Sequence, residues 1–173
     1  DGVTICGGNG GTTKSDLQGE SSTANGCSGV NLFGFNVDLL NYPSIRDSSL
    51  TNNIMGGNYA GGKGGNASGQ LGVKADGGHG FFSNFQIIEI SDGTFQGGNG
   101  GVAVSSNSNS SSSAVGGNGF KSANNHHLKI TGGDFYGGAG GTLNGVLDDD
   151  GAGVRAVDTD VLIAGGNFYG MGL

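Results

Sequence analysis

The stretch Ile90-Ser-Asp-Gly-Thr-Phe-Gln-Gly-Gly-Asn-Gly-Gly101 recurs almost position for position as Ile130-Thr-Gly-Gly-Asp-Phe-Tyr-Gly-Gly-Ala-Gly-Gly141. Ile54-Met-Gly-Gly-Asn-Tyr-Ala-Gly-Gly-Lys-Gly-Gly65 and Ile163-Ala-Gly-Gly-Asn-Phe-Tyr-Gly-Met-Gly172 align with both without gaps, and Ile5-Cys-Gly-Gly-Asn-Gly-Gly11 is an incomplete earlier copy. The aligned isoleucines lie 36, 40 and 33 residues apart. A period in this range marks a stacked repeat architecture, in which each unit buries its apolar face only against its neighbours.

A second signature precedes each motif by about ten residues: Gly77-Gly-His-Gly-Phe81, Gly116-Gly-Asn-Gly-Phe120 and Asp150-Gly-Ala-Gly-Val154. In the earliest full copy Ile45 takes its place, with Pro43-Ser44 where the others have glycines. Between the two signatures apolar and polar residues alternate, which predicts a strand with one buried face. Ile88 and Ile90, Leu128 and Ile130, and Val161 and Ile163 are expected to point inward, and Glu89 and Lys129 outward, Leu162 being the exception. The register then gives an aliphatic column (Ile54, Ile90, Ile130, Ile163) and an aromatic column (Tyr59, Phe95, Phe135, Phe168). In a stack these become ladders of like side chains at the inter-strand spacing of about 4.8 Å.

Of 173 residues 41 are Gly and one is Pro. With no strict every-third-residue glycine the chain is not collagen, and glycine at this density disfavours long helices. A flexible glycine linker is also excluded, because apolar residues recur in phase with the glycines. The expected role for the glycines is at sharp corners, where positive φ or a close neighbouring backbone forbids a Cβ.

Gly153-Val-Arg-Ala-Val-Asp-Thr-Asp-Val-Leu-Ile-Ala-Gly-Gly-Asn167 resembles the parallel β-helix repeat of the pectin-lyase-like superfold, in the Gly-rich form found in secreted and cell-surface proteins. The resemblance covers about Ile45 to the end. It implies an all-β fold, a right-handed parallel β-helix or β-solenoid of about four to five coils with loop insertions. It implies no activity, since this fold hosts lyases, hydrolases, adhesins and fibre proteins alike.

The chain reads as one domain, with residues 1–44 an N-terminal elaboration carrying the first partial repeat and 45–173 the repeats proper. Val30-Asn-Leu-Phe-Gly-Phe-Asn-Val-Asp-Leu-Leu40, its most apolar run, is expected to cover one end of the stack. The stretches after each Gly-Gly-x-Gly-Gly are expected to be variable loops. One of them, Val102 to Val115, contains the low-complexity run Ser105 to Ser113, with no core former.

A formal charge of −7 with seven scattered basic residues excludes nucleic acid as a partner, which demands clustered cations. An anionic membrane surface is disfavoured on the same ground, and no apolar run is long enough for membrane insertion. Cys6 and Cys27 are expected to form a disulfide, which implies an oxidising compartment. Asp1 is expected to be a mature terminus after signal removal. Asn66-Ala-Ser68 and Asn109-Ser-Ser111 are glycosylation sequons. These features together point to a secreted or cell-surface glycoprotein.

Candidate chemistry is thin. Asp148, Asp149 and Asp150, Asp158 and Asp160, and the column Arg46, Phe82, Lys121 and Arg155 are the groups a carbohydrate-active enzyme would use. The acidic run reads as turn residues and the basic column as a solvated face, so no enzyme, metal site or cofactor is expected. Calcium-binding nonapeptides require Asp where Asn66, Val102 and Thr142 stand; weak binding of calcium at the Asp148 run is the residual option. Gly57 to Lys63 matches a phosphate loop only in part, with Gly64 in place of Ser/Thr. His126 and His127, adjacent on a strand, would face opposite ways. An ice-binding surface would need a regular outward Thr or Ser column, whereas Asn53, Glu89, Lys129 and Leu162 are mixed.

The last copy breaks off at Gly170-Met-Gly-Leu173 and the first is a partial repeat, so the two ends are expected to continue one another. The function expected is an extracellular structural protein whose subunits stack head to tail into a glycosylated fibril. Contacts are expected at Ile5, Gly7, Gly8, Phe168, Tyr169 and Leu173, with the protein itself and covalent glycans as partners. The rival reading is a non-polymerising adhesive module that binds extracellular polysaccharide through Tyr136 and Tyr169. A carbohydrate-active enzyme or an ice-binding protein ranks lower.

Overall fold

A computed structural model describes residues 3–15, 21–33, 51–107 and 111–170. Ile45, Arg46, Asn109, Leu173 and the apolar run beyond Phe33 therefore lie outside the described residues. The described chain is all-β, without a helix. Its first level holds β1 (Thr4–Cys6), β2 (Thr12–Lys14), β3 (Ser21–Thr23) and β4 (Val30–Phe33). The second holds β5 (Thr51–Ala60), β6 (Asn66–Gly69), β7 (Leu71–Lys74) and β8 (Phe81–Asn84), and the third β9 (Ile87–Gln96), β10 (Val102–Ser105) and β11 (Phe120–Ala123). Next come β12 (His127–Ile130), β13 (Asp134–Tyr136), β14 (Thr142–Leu143), β15 (Val146–Leu147) and β16 (Val154–Val157), then β17 (Val161–Ile163) and β18 (Asn167–Tyr169).

Every described strand but β15 pairs with its counterpart one repeat away, and all of those pairings are parallel, while β15 pairs antiparallel with β14 of its own repeat. The largest sheet runs β1-β5-β9-β12-β17, with β13 on β9 and β18 on β13. A second runs β2-β6-β10-β14-β15, a third β4-β8-β11-β16, and β3 pairs β7. The register places Ile54, Ile90, Ile130 and Ile163 in one column. Tyr59, Phe95, Phe135 and Phe168 form another, their rings stacked at 5.0, 4.8 and 5.1 Å. Ile5 lies beneath Tyr59 in the same column. Phe81 and Phe120 stack at 5.2 Å from the facing sheet and meet Phe95 edge-on, closing this core.

Two expectations need correction. Residues 3–15 and 21–33 are no mere elaboration: β1 to β4 add a level to all four sheets. The stretches expected to be variable loops are not plain loops: Ala67, Val73, Ala75, Ala103 and Ala114 lie in them and join Ala24 in a second, smaller core, to which the run Ser105 to Ser113 contributes no apolar side chain. Alanine suffices there because the space between the strands is narrow, and the glycines make it so.

Between the two cores run two glycine strips, one stacked from residues 7–11, 61–65, 97–101 and 137–141, the other from 25–29, 76–80, 115–119 and 149–153. They touch backbone to backbone. Gly98 N–H donates to Gly78 O at 2.8 Å, and Gly117 N–H donates to Gly98 O at 2.8 Å. The zigzag continues through Gly138 to Gly117 and Gly151 to Gly138, both 2.8 Å. Residues in a strip rotate by thirds, as in a polyproline II helix. At Gly97 an added Cβ would strike Gly117 across the waist, at Gly98 it would strike Gly62 in the layer below, and Asn99 faces outward. Gly100 and Gly101 repeat the first two directions.

The motif Gly-Gly-x-Gly-Gly is thus a close-approach motif, not the corner motif expected. Positive φ occurs elsewhere: at Gly93 (124°) and Gly133 (101°), where the chain bends between the aliphatic and aromatic columns. The other corner uses Phe85, Asn124 and Asp158 at φ 47–55°. There buried Asn125 donates to Ser83 Oγ (2.8 Å) and Ser122 Oγ (2.7 Å) and accepts from Gln86 N–H (2.9 Å), so its own amide is satisfied.

Candidate functional site

Two surfaces stand out, the final layer and a groove over the second glycine strip. In the final layer Ile163 is 51% and Phe168 39% exposed, whereas their column neighbours Ile130 and Phe135 are fully buried. Val161 and Leu162 are exposed as well. Among the described residues β16, β17 and β18 each pair on one side only, leaving a row of open backbone groups beside core-type side chains. The smaller core ends differently. Asn144 (φ 52°) and Gly145 (φ 81°) make a two-residue hairpin turn that folds β15 antiparallel onto β14. Asp148 Oδ2 then accepts the Ala114 N–H at 2.6 Å. The Asn144-Gly145 dipeptide is the signal for this hairpin in a stretch expected to be a variable loop.

On the opposite face Ile5 is half-buried, Gly7 packs against the Cys27 carbonyl, and Gly8 and Gly11 have open space where a Cβ would point. Cys27 stands in register with Gly78, Gly117 and Gly151. At Gly78 and Gly117 an added Cβ would overlap the carbonyl of the preceding layer. The Cys27 side chain therefore points out of the stack, while Cys6 points sideways from β1. That divergence corrects the expected disulfide: both cysteines are free and exposed.

The remaining predicted positions are scattered. Asn66 is exposed in β6. Tyr136 and Tyr169 stack at 4.8 Å on the outer face of the aromatic column. The Tyr136 hydroxyl is held above the usual phenol range by local desolvation and then by Asp134 and Tyr169. His127 pairs with Asp160 (3.2 Å), and Lys129 pairs with Glu89 (3.3 Å). His126 precedes the strand, and its Nε2 is buried without a partner. Among the described residues no group of three His, Cys, Asp or Glu side chains is arranged to hold a metal.

The groove exists because glycines put no side chains over the waist. It has a volume of about 360 Å³, with Asp76 and Asp150 on one flank and Lys121 and Arg155 on the other. Asp76 Oδ1 accepts the Val115 N–H (3.0 Å), and Asp150 Oδ1 accepts the Gly140 N–H (2.6 Å). On the floor His79 Nδ1 accepts from Asn118 N–H (3.1 Å). Burial, then Lys121 and Arg155, lower the His79 pKa to about 4, so the ring is neutral and its proton sits on Nε2. Burial and then Arg155 also lower the Lys121 pKa.

Comparison with known protein families, with characterised proteins and with solved structures finds no match for this chain.

Proposed function

We propose that the chain is an extracellular structural protein, a right-handed parallel β-solenoid whose copies stack head to tail into a glycan-bearing fibril. The observation that carries this reading is that, among the described residues, the aromatic column ends on an exposed Phe168 whose strand β18 pairs on one side only. A second copy placed one layer on would set β1 over β18 and β4 over β16, bringing Ile5 over Phe168 and Val30 over Val154. The contacts of β1 with β18 and of β4 with β16 would repeat the parallel pairings β1–β5 and β4–β8, whereas β2 would meet the antiparallel β15, and no described residue of the first level would stand over Ile163. Such a heterologous contact propagates as a filament unless its rotation closes a ring. Gly8 and Gly11 leave the first glycine strip free to join in. Cys27 obstructs the second strip at one point, so the junction is looser there than an internal layer. The exposed Asn66 is placed to carry sugar.

Sedimentation and negative-stain imaging across a concentration series test the reading. It requires filaments about one subunit wide that shorten or vanish on Phe168→Lys, with the variant's far-UV spectrum unchanged. Discrete particles at high concentration reject it. Intact mass after expression in a secreting eukaryotic host checks the glycan.

The stacked pair Tyr136 and Tyr169 favours a second reading, a polysaccharide-binding surface module. It requires saturable binding of a soluble polysaccharide that Tyr136→Ala abolishes without altering assembly.

A further inference from the structure

Lys121 and Arg155 occupy adjacent strands in direct register, β11 and β16. Like charges opposite one another on a sheet repel, and among the described residues neither cation has a carboxylate within ion-pairing distance. Their column runs through Asn31 and Phe82, and the Lys121 ammonium lies 5.6 Å over the Phe82 ring, which holds the amine on the groove side of the sheet. The carboxylates on the far flank are engaged by the N–H groups of Val115 and Gly140. His79 is close enough to both cations for each to disfavour its protonation, and with Nδ1 accepting from Asn118 it offers an N–H at Nε2. Three donors from three successive layers thus border one polar groove, on a chain whose overall charge is −7.

We propose that this groove binds a tetrahedral oxyanion, a sulfate or phosphate group, between Lys121 and Arg155 with the His79 Nε2–H as a third donor. A tetrahedral group presents several acceptor oxygens to donors arriving from different layers, which a planar carboxylate matches less well. Occupancy relieves the repulsion between the two stacked cations, and the glycine floor leaves room for whatever carries the anion. The group can be a free ion or an ester on a sugar.

The test is titration of the full-length chain with inorganic sulfate and inorganic phosphate at constant ionic strength, followed by residue-resolved NMR. The expected result is saturable shifts confined to the surroundings of His79, Lys121 and Arg155. Arg155→Ala and Lys121→Ala should each weaken binding about tenfold or more, as loss of a charge-assisted hydrogen bond implies. Arg155→Lys should retain most of it, and Lys63→Ala, remote from the groove, should change nothing. Tighter binding of a sulfated dextran, equally sensitive to Arg155→Ala, would identify an ester as the source, whereas equal affinity per group would identify the free ion. The proposal is overturned by shifts that spread over all cations without saturating, by alanine variants that bind like the parent, or by acetate binding as well as sulfate.

Discussion

Replacing Gly98 by Ala tests the contact on which the architecture turns. A Cβ at Gly98 would lie 2.6 Å from the Gly62 carbonyl carbon and closer still to its oxygen. To reach ordinary van der Waals separation that carbonyl would have to retreat by about 1 Å. The retreat breaks the 2.9 Å bond it accepts from the Gly78 N–H, leaving a buried donor unpaired at a cost of about 1–3 kcal/mol. Overpacking contributes about 1–3 kcal/mol more. A central value of about 4 kcal/mol corresponds to a melting midpoint lower by about 8–16 °C for a chain of this size. The neighbouring Asn99 faces outward, and its Oδ1 accepts only from the exposed Ala139 N–H at 3.0 Å. Asn99→Ala should therefore cost no more than about 1 kcal/mol. Urea unfolding followed by far-UV circular dichroism measures both. If Gly98→Ala were as stable as Asn99→Ala, the two strips would not be in contact and the account of the waist would be wrong.

Phe135→Ala, in the middle of the aromatic column, should cost about 3–5 kcal/mol in the same assay, and Phe168→Ala well under half of that, because Phe168 is already 39% exposed; equal losses would mean that the final layer is covered. The His79 pKa is lowered to about 4 from 6.5, so the unfolded chain takes up that proton first as pH falls. The His79 contribution is intact above pH 6.5, and about 3 kcal/mol of stability should disappear between there and pH 4. His79→Asn keeps an acceptor for Asn118 and should flatten this part of a stability–pH curve; an unaltered slope would place the titration elsewhere. Both thiols should react with a bulky aromatic disulfide in the folded protein, and an unreactive pair would restore the disulfide. Cys27→Gly removes the one obstruction in the second strip, so sedimentation should show tighter association; weaker association would argue against stacking through that face.

The large core was legible because its residues are big, apolar and strictly in phase. Once Ile90 and Phe95 were aligned with Ile130 and Phe135, the register followed. The second core was not legible, because Ala67, Ala103 and Ala114 carry little hydrophobic signal among Ser, Asn and Gly. Only the distance between their strands makes an alanine large enough to fill the space. The glycine strips were half-legible. Crowding was anticipated, but the rotation by thirds that sends Gly97 across, Gly98 down and Asn99 outward was read as a corner. The disulfide failed because closeness in sequence says nothing about direction, and Cys27 occupies a position whose counterparts are glycines facing along the stack. In the groove, Lys121 and Arg155 were correctly placed in one column, yet the column looked like an ordinary wet surface. What sequence could not supply was the depression beside it, which arises from the absence of side chains on the neighbouring strip.

Residue-resolved amide hydrogen exchange of the waist tests the central claim most directly. Gly98, Gly117 and Gly138 belong to no strand, yet their N–H groups are bonded across the two strips at 2.8 Å. They should exchange as slowly as those of Ile90 and Phe95 in the large core. Exchange at the pace of the exposed Ser111 would mean that the glycines are loose connections and that the two cores are not joined as described.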